Sequence, residues 1–272
     1  LKKLVSDERY QFKLTDIERI GGTSAGAITA VMLGIGCSLD GVEKTLSQLD
    51  FKELLDGEQK KDFLSIKEEL AKNGLTLTTF MTKVITSPLQ VKSIYDKLTA
   101  DYGLFLGKYF RDWIDNQIFE QTGKRNLTFA ELSELKQTGK KPLKNPSGTF
   151  KYLYFVGTNL MTGCSEVFSH ETAPDMVIAD AVRISMSIPF LFVPHQRYFK
   201  NNEGKIVPDS KKQLYIDGGV SDNYPIWLFD QSKYLSDASP EDSNISLGMN
   251  RETLGFRLVT WAEKLHFEGQ QA

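Results

Sequence analysis

The chain has 272 residues, 40% of them apolar and 25% charged, with a formal net charge of −2. Those values fit one globular core and exclude a protein drawn to nucleic acid or anionic lipid by its overall charge; any such contact has to come from a local patch. Cys37 and Cys164 are far apart and lack metal-ligand spacing, so they read as free thiols in a reducing compartment.

In chain order, residues 1–13 read as the end of a helix and a polar turn. A short half-buried strand follows, with Leu14, Ile17 and Ile20 apolar. Then comes Gly22-Thr23-Ser24-Ala25-Gly26, after which Ala27, Ile28, Val31 and Met32 recur at helical spacing until Gly34 and Gly36. Gly-x-Ser-x-Gly between a strand and a helix is the nucleophile-elbow pattern. Such a turn strains the backbone of Ser24 and lifts its hydroxyl clear of both elements. Gly22 and Gly26 are expected to be required because a Cβ would collide with the neighbouring strand or helix. The amide of Ala25, at the helix N-terminus, is expected to face a developing oxyanion. The alternative is a small-residue turn that only packs a helix on a sheet.

Asp40–Leu55, Lys60–Lys72 and Val91–Ala100 carry helical spacing, with a break at Pro88. Phe105–Gln121 is a further helix stopped by Gly123, and Thr128-Phe129-Ala130-Glu131 fits a capping box. The stretch 37–147 therefore reads as a helical insertion within the single domain 1–272. Gly139–Gly148 is a surface loop whose lysines are either solvated or in contact with lipid headgroups. A strand is expected at Lys151–Gly157, a helix from Pro174 to Ser187 closed by Pro189, and a hairpin over Gln196–Lys212 turning at Asn201–Gly204. Leu214-Tyr215-Ile216 is a strand running into Asp217-Gly218-Gly219. Residues 231–253 read as a mobile Ser/Asp/Asn-rich loop, Leu254–Thr260 as a last strand, and Trp261–Phe267 as the start of a helix. The sequence shows no span-length apolar run, signal peptide, internal repeat, zinc motif, P-loop or dinucleotide fingerprint.

A serine hydroxyl needs a neighbouring base to become a nucleophile. His266 falls in the chain order of an α/β-hydrolase triad, but its surroundings read as helix, while His170 and His195 lie near turns. Asp217 ends a strand, and the glycines after it leave room around its carboxylate. Partial desolvation there would raise its pKa toward the range a general base needs. Asp-Gly is also a common tight turn, and spacing alone leaves both readings open.

Gly22-Thr23-Ser24-Ala25-Gly26-Ala27-Ile28 and Tyr215-Ile216-Asp217-Gly218-Gly219-Val220 together resemble the patatin-like phospholipases. Ala181–Phe190, a helix ending in Ser-x-x-x-Pro, and Asp222-Asn223-Tyr224-Pro225-Ile226 are similar to the same family, in a bacterial flavour. The likeness covers most of residues 14–260. It implies an α/β fold of three layers, α/β/α, with a central, mostly parallel sheet. It also implies a Ser24–Asp217 dyad without histidine, metal or cofactor, with Ala25 as an oxyanion donor and Gly218 and Gly219 shaping the base loop. The activity implied is hydrolysis of glycerolipid acyl esters through an acyl-enzyme, phospholipase A- or lysophospholipase-like, by a cytoplasmic or host-delivered protein peripheral at membranes. Membrane phospholipid is the implied substrate and nucleic acid is not a partner; some bacterial relatives also need an activating host protein. The family's glycine-rich oxyanion loop has no match before Ser24. That segment is expected to be missing from the chain as written, which should then be a poor enzyme. A general serine esterase, or a non-catalytic lipid- or protein-binding relative, is the alternative.

Overall fold

The computed structural model describes residues 13–50, 100–235 and 249–257, with 52, 55–57, 60, 61, 63, 64, 68, 72 and 96 between them. The expected helices at Lys60–Lys72, Val91–Ala100 and Trp261–Phe267, the segment 1–12 and most of the loop 231–253 lie largely or wholly outside the described residues. The chain divides into two compact units, Leu1–Asn223 and Tyr224–Ala272.

The first strand is shorter than its apolar spacing suggests. Leu14–Asp16 forms a 3-10 turn, and β1 is Arg19–Gly22. The buried side chain of Lys151 explains the difference: its Nζ donates to the carbonyls of Leu14 and Ile17 at 2.7 and 2.8 Å, so these oxygens serve an ammonium and not a strand. Beyond β1, α1 is Ala25–Gly34 and α2 is Leu39–Ser47, capped by Ser38 Oγ accepting from Gly41 N. The expected helix from Phe105 begins later. Gly103–Phe105 is a strand, β2, and α3 is Lys108–Thr122, ended by Gly123 in the left-handed conformation. The capping box forms as expected: Thr128 and Glu131 exchange side chain-to-backbone hydrogen bonds at the start of α4, Phe129–Gln137.

Then follow β3 (Tyr152–Asn159), β4 (Ser165–Ser169) and α5 (Ile178–Ser185). Pro174 does not open α5. Pro174 O and Met176 O accept from Ala130 N and Phe129 N, and Val177 N donates to Tyr198 O, so this segment bridges neighbours before the helix can begin. β5 (Phe190–Phe192) pairs with β2 in parallel. β6 (Tyr198–Lys200) and β7 (Ile206–Pro208) form the expected hairpin, its turn held by Asn201 Oδ1 accepting from Glu203 N and Lys205 N. β8 is Tyr215–Asp217.

The result is a mixed α/β fold whose main sheet is built on β3. β1 runs parallel to it, whereas β4 and β8 run antiparallel, so among the described residues this sheet holds both parallel and antiparallel pairs. α1 is buried from Ala27 to Gly34 except at the half-buried Thr29, and α5 along its whole length, as befits helices set inside the core. Among the described residues no helix is long and apolar enough to cross a membrane. In the second unit, Ile226–Phe229 and Ser232–Tyr234 are 3-10 turns, and Asn250 bonds to Asp230 Oδ1 and Phe229 O. The strand expected from Leu254 is absent over 254–257, where Leu254 and Phe256 are both exposed.

Candidate active site

The register of β3 decides where the site forms. β4 pairs with Tyr154–Thr158, overlapping the pairing of both β1, which ends at Gly22↔Phe155, and β8, which ends at Asp217↔Gly157. A strand has two edges, so β4 takes one and β1 and β8 share the other. Because β1 is parallel and β8 antiparallel to β3, their carboxyl ends meet head-on at Val156. The turns that leave them carry Ser24 and Asp217.

Ser24 has φ 55° and ψ −126°, the strain that the elbow pattern implies. Its Oγ donates to Asp217 Oδ2 at 2.6 Å and approaches Met186 Sδ at 3.7 Å, while its backbone N–H donates to Ser185 Oγ at 3.1 Å. A Cβ on Gly22 would lie 2.3 Å from Gly26 O, so the turn closes only with glycine there. Gly26 is different from expectation: it sits exposed on the first turn of α1, and a Cβ on it would meet nothing within 4 Å. Gly26 N and Ala27 N turn back to Thr23 O and Ser24 O, whereas Ala25 N donates to none of the described residues. Ala25 is an exposed residue that opens α1 directly after Ser24.

Asp217 is 4% exposed. Its Oδ1 accepts from Gly219 N at 2.7 Å, its N–H donates to Ser187 O at 2.9 Å, and its carbonyl accepts from Thr158 Oγ1 at 2.9 Å. Burial lifts its carboxyl above the usual range, and the hydrogen bonds from Ser24 and Gly219 draw it part of the way back. A carboxylate so placed can accept the serine proton. A Cβ on Gly218 would lie 2.3 Å from Val156 O, and one on Gly219 would lie 3.1 Å from Asp217 Oδ1, so both glycines are set by close contacts.

The histidines stand elsewhere. His195 Nε2 faces Asp180 Oδ1 at 3.1 Å, in a network with Arg111 and Asn126, and burial lowers its pKa. His170 stacks on Tyr152 with ring centroids 4.3 Å apart. Neither bonds to Ser24, and His266 lies outside the described residues. Cys37 is buried and Cys164 exposed, and neither is in a disulfide. Three residues at the end of α5, Ser185, Met186 and Ser187, touch both halves of the Ser24–Asp217 pair. Their only mark in the sequence is the Ser-x-x-x-Pro pattern that Ser185 begins.

A sequence model of the patatin-like phospholipases matches residues 8–230. The uncharacterized protein R571 of Acanthamoeba polyphaga mimivirus is 28% identical over 215 residues, 79% of this chain and 51% of that protein. The probable lipid hydrolase 463L of Invertebrate iridescent virus 6 is 30% identical over 124 residues, 46% of this chain and 34% of that protein. Among solved structures, VipD from Legionella pneumophila is similar with a TM-score of 0.48 at 20% identity, over 99% of this chain and 50% of that one. The chain thus spans about half the length, or less, of each of these proteins.

Proposed function

Because this chain belongs to the patatin-like phospholipase family, we propose that it is a serine lipid acyl hydrolase in which Ser24 is the nucleophile and Asp217 the base. One observation carries the reading: Ser24 Oγ, on a strained turn, donates to the buried carboxylate of Asp217 at 2.6 Å. Asp217 takes the serine proton as Oγ attacks the acyl carbonyl carbon of a glycerolipid ester. The Ala25 amide faces the oxyanion of the tetrahedral intermediate. Collapse of that intermediate breaks the ester C–O bond, and Asp217 returns the proton to the departing alcohol. A water molecule gives a proton to the same carboxylate as it attacks the acyl-enzyme; the acyl carbon–Oγ bond breaks, the fatty acid departs, and Asp217 returns the proton to Ser24 Oγ. Every proton in this sequence passes through one carboxylate.

The test is covalent labelling by a fluorophosphonate, combined with turnover of phospholipid vesicles and of a dispersed short-chain ester. Label on Ser24 with vesicle hydrolysis is the expected result. Label on Ser24 with turnover of the soluble ester alone would make the protein a general esterase. A folded protein that takes no label at Ser24 would overturn the enzyme reading.

A further inference from the structure

The two halves of the Ser24–Asp217 pair lie on different strands, and their separation is held by a third element. At the end of α5, Ser185 Oγ accepts the Ser24 N–H at 3.1 Å and Ser187 O accepts the Asp217 N–H at 2.9 Å. A single turn of three residues therefore grips the backbone of the nucleophile with its first residue and the backbone of the base with its last.

That turn is fastened by Arg183, which is 1% exposed. Its Nη1 donates to Ser187 Oγ at 2.6 Å, and Ser187 Oγ in turn donates to Arg183 O at 2.9 Å. Its Nη2 donates to Leu106 O at 2.7 Å and Val193 O at 3.1 Å, and Nε reaches Leu106 O at 3.3 Å. The chain after β2 is moulded to the guanidinium: Gly107 has φ +69°, and a Cβ there would lie 2.0 Å from Arg183 Nε. Among the described residues no carboxylate forms an ion pair with Arg183. Asp56 and Asp180 favour its charge from a distance, against a burial cost that brings its pKa down to about 10. A buried cation without a salt bridge is an expensive way to hold a core together. What a guanidinium provides that an apolar side chain or an ammonium does not is a rigid planar fork, here joining three separate segments.

We propose that Arg183 is a positioning residue. By clamping the Ser185–Ser187 turn to the carbonyls of Leu106 and Val193, it fixes the separation of Ser24 and Asp217. This rests on the dyad reading above, and the two can fail separately.

The test compares wild type, Arg183→Lys and Ser187→Ala. Three quantities are read: the rate of Ser24 phosphonylation by a small soluble fluorophosphonate, kcat and KM on a dispersed short-chain ester per labelled serine, and the acid limb of kcat against pH. Normalising to labelled serine removes any loss of folded protein. Both variants are expected to lose about tenfold to a hundredfold in kcat, the scale of a small misplacement of reacting groups. KM should move by less than about twofold, since the substrate's own contacts are untouched. The acid limb should shift to higher pH, because a weaker Ser24 hydrogen bond no longer holds the Asp217 carboxyl down. Wild-type rates with an unmoved acid limb in both variants, or a fall in thermal midpoint alone, would overturn the positioning role and leave the dyad intact. Wild type unlabelled at Ser24, or Asp217→Asn labelled as fast as wild type, would overturn the dyad and the positioning role with it. If Arg183→Lys does not fold, Ser187→Ala decides, since it cuts the same link and leaves the guanidinium on its two carbonyls.

Discussion

Gly22 and Asp217 close two strands that run toward each other along one edge of β3, and Val156 is the single residue between their partners. The turn after each strand enters the same small space from opposite directions. Gly218 fits there because only a hydrogen faces Val156 O.

Replacing Ser24 with alanine should abolish fluorophosphonate labelling and ester turnover without unfolding the protein. Ser24→Gly should do the same and be the more stable of the two by about 1 kcal/mol, since glycine relieves the strain at φ 55° and ψ −126°. Both variants lack the Asp217 hydrogen bond, so the difference between their thermal midpoints isolates the backbone. An alanine variant at least as stable as the glycine one would count against a strained elbow.

Asp217→Asn keeps the shape of the carboxylate and cannot take a proton, so turnover should fall by about 100-fold or more. Burial raises the Asp217 pKa, which means that the folded state favours the protonated acid. Its stabilising contribution is then full below the ordinary carboxylate pKa and is lost as pH rises through the higher folded value. Above that folded value the ionised group weakens the fold, and there the asparagine variant should melt higher than wild type. In wild type, activity should fall with acid at a pH above the usual carboxylate range. A variant that melts lower than wild type at a pH above the acid limb, or an acid limb at the ordinary Asp value, would contradict the burial account.

The two elbow glycines should separate cleanly. Gly22→Ala places a Cβ 2.3 Å from Gly26 O, a backbone atom with nowhere to go, and should cost several kcal/mol or prevent folding. Gly26→Ala meets open space in the first turn of α1 and should leave the thermal midpoint unchanged or raise it by the equivalent of up to about 1 kcal/mol. Equal destabilisation by both would restore the expectation that each glycine is sterically required.

Lys151 is buried, with its ammonium on the carbonyls of Leu14 and Ile17, and burial lowers its pKa to about 8. An amine with a depressed folded pKa contributes most above its unfolded value and loses that contribution as pH falls through the folded one. Wild type should therefore gain stability relative to Lys151→Met as pH rises from about 8 toward the ordinary lysine value. Chemical denaturation of both proteins across that range measures it; a difference independent of pH would mean that Lys151 titrates normally.

The elements legible in the sequence are those whose signal is local. The elbow between strand and helix, the Thr128–Glu131 capping box, the Gly123 stop and the Asn201–Gly204 turn each depend on a few neighbouring side chains, and each stands where expected. β2 and β5 were not legible, because three residues cannot show a period and their pairing joins Gly103 to Phe190 across the chain. Nor was the direction of β8: Tyr215-Ile216-Asp217 reads the same whether it runs with β3 or against it. Ser24 and Asp217 were identifiable as candidates from the turns they occupy. The roles of Ser185 and Ser187 were not, because their hydrogen bonds reach partners that only the folded register of β3 brings near.

The separation of 193 positions from Ser24 to Asp217 also imposes an order in time. Synthesis runs from the amino end, so the serine is added roughly 10–40 s before its proposed base, at ordinary elongation rates. Throughout that interval the chain has a hydroxyl with nothing to deprotonate it. A product truncated by arrest or by a nonsense codon before β8 lacks, on the dyad reading, its base and hydrolyses nothing. On the dyad reading, placing the base near the far end of the first unit makes activity a report of completed synthesis.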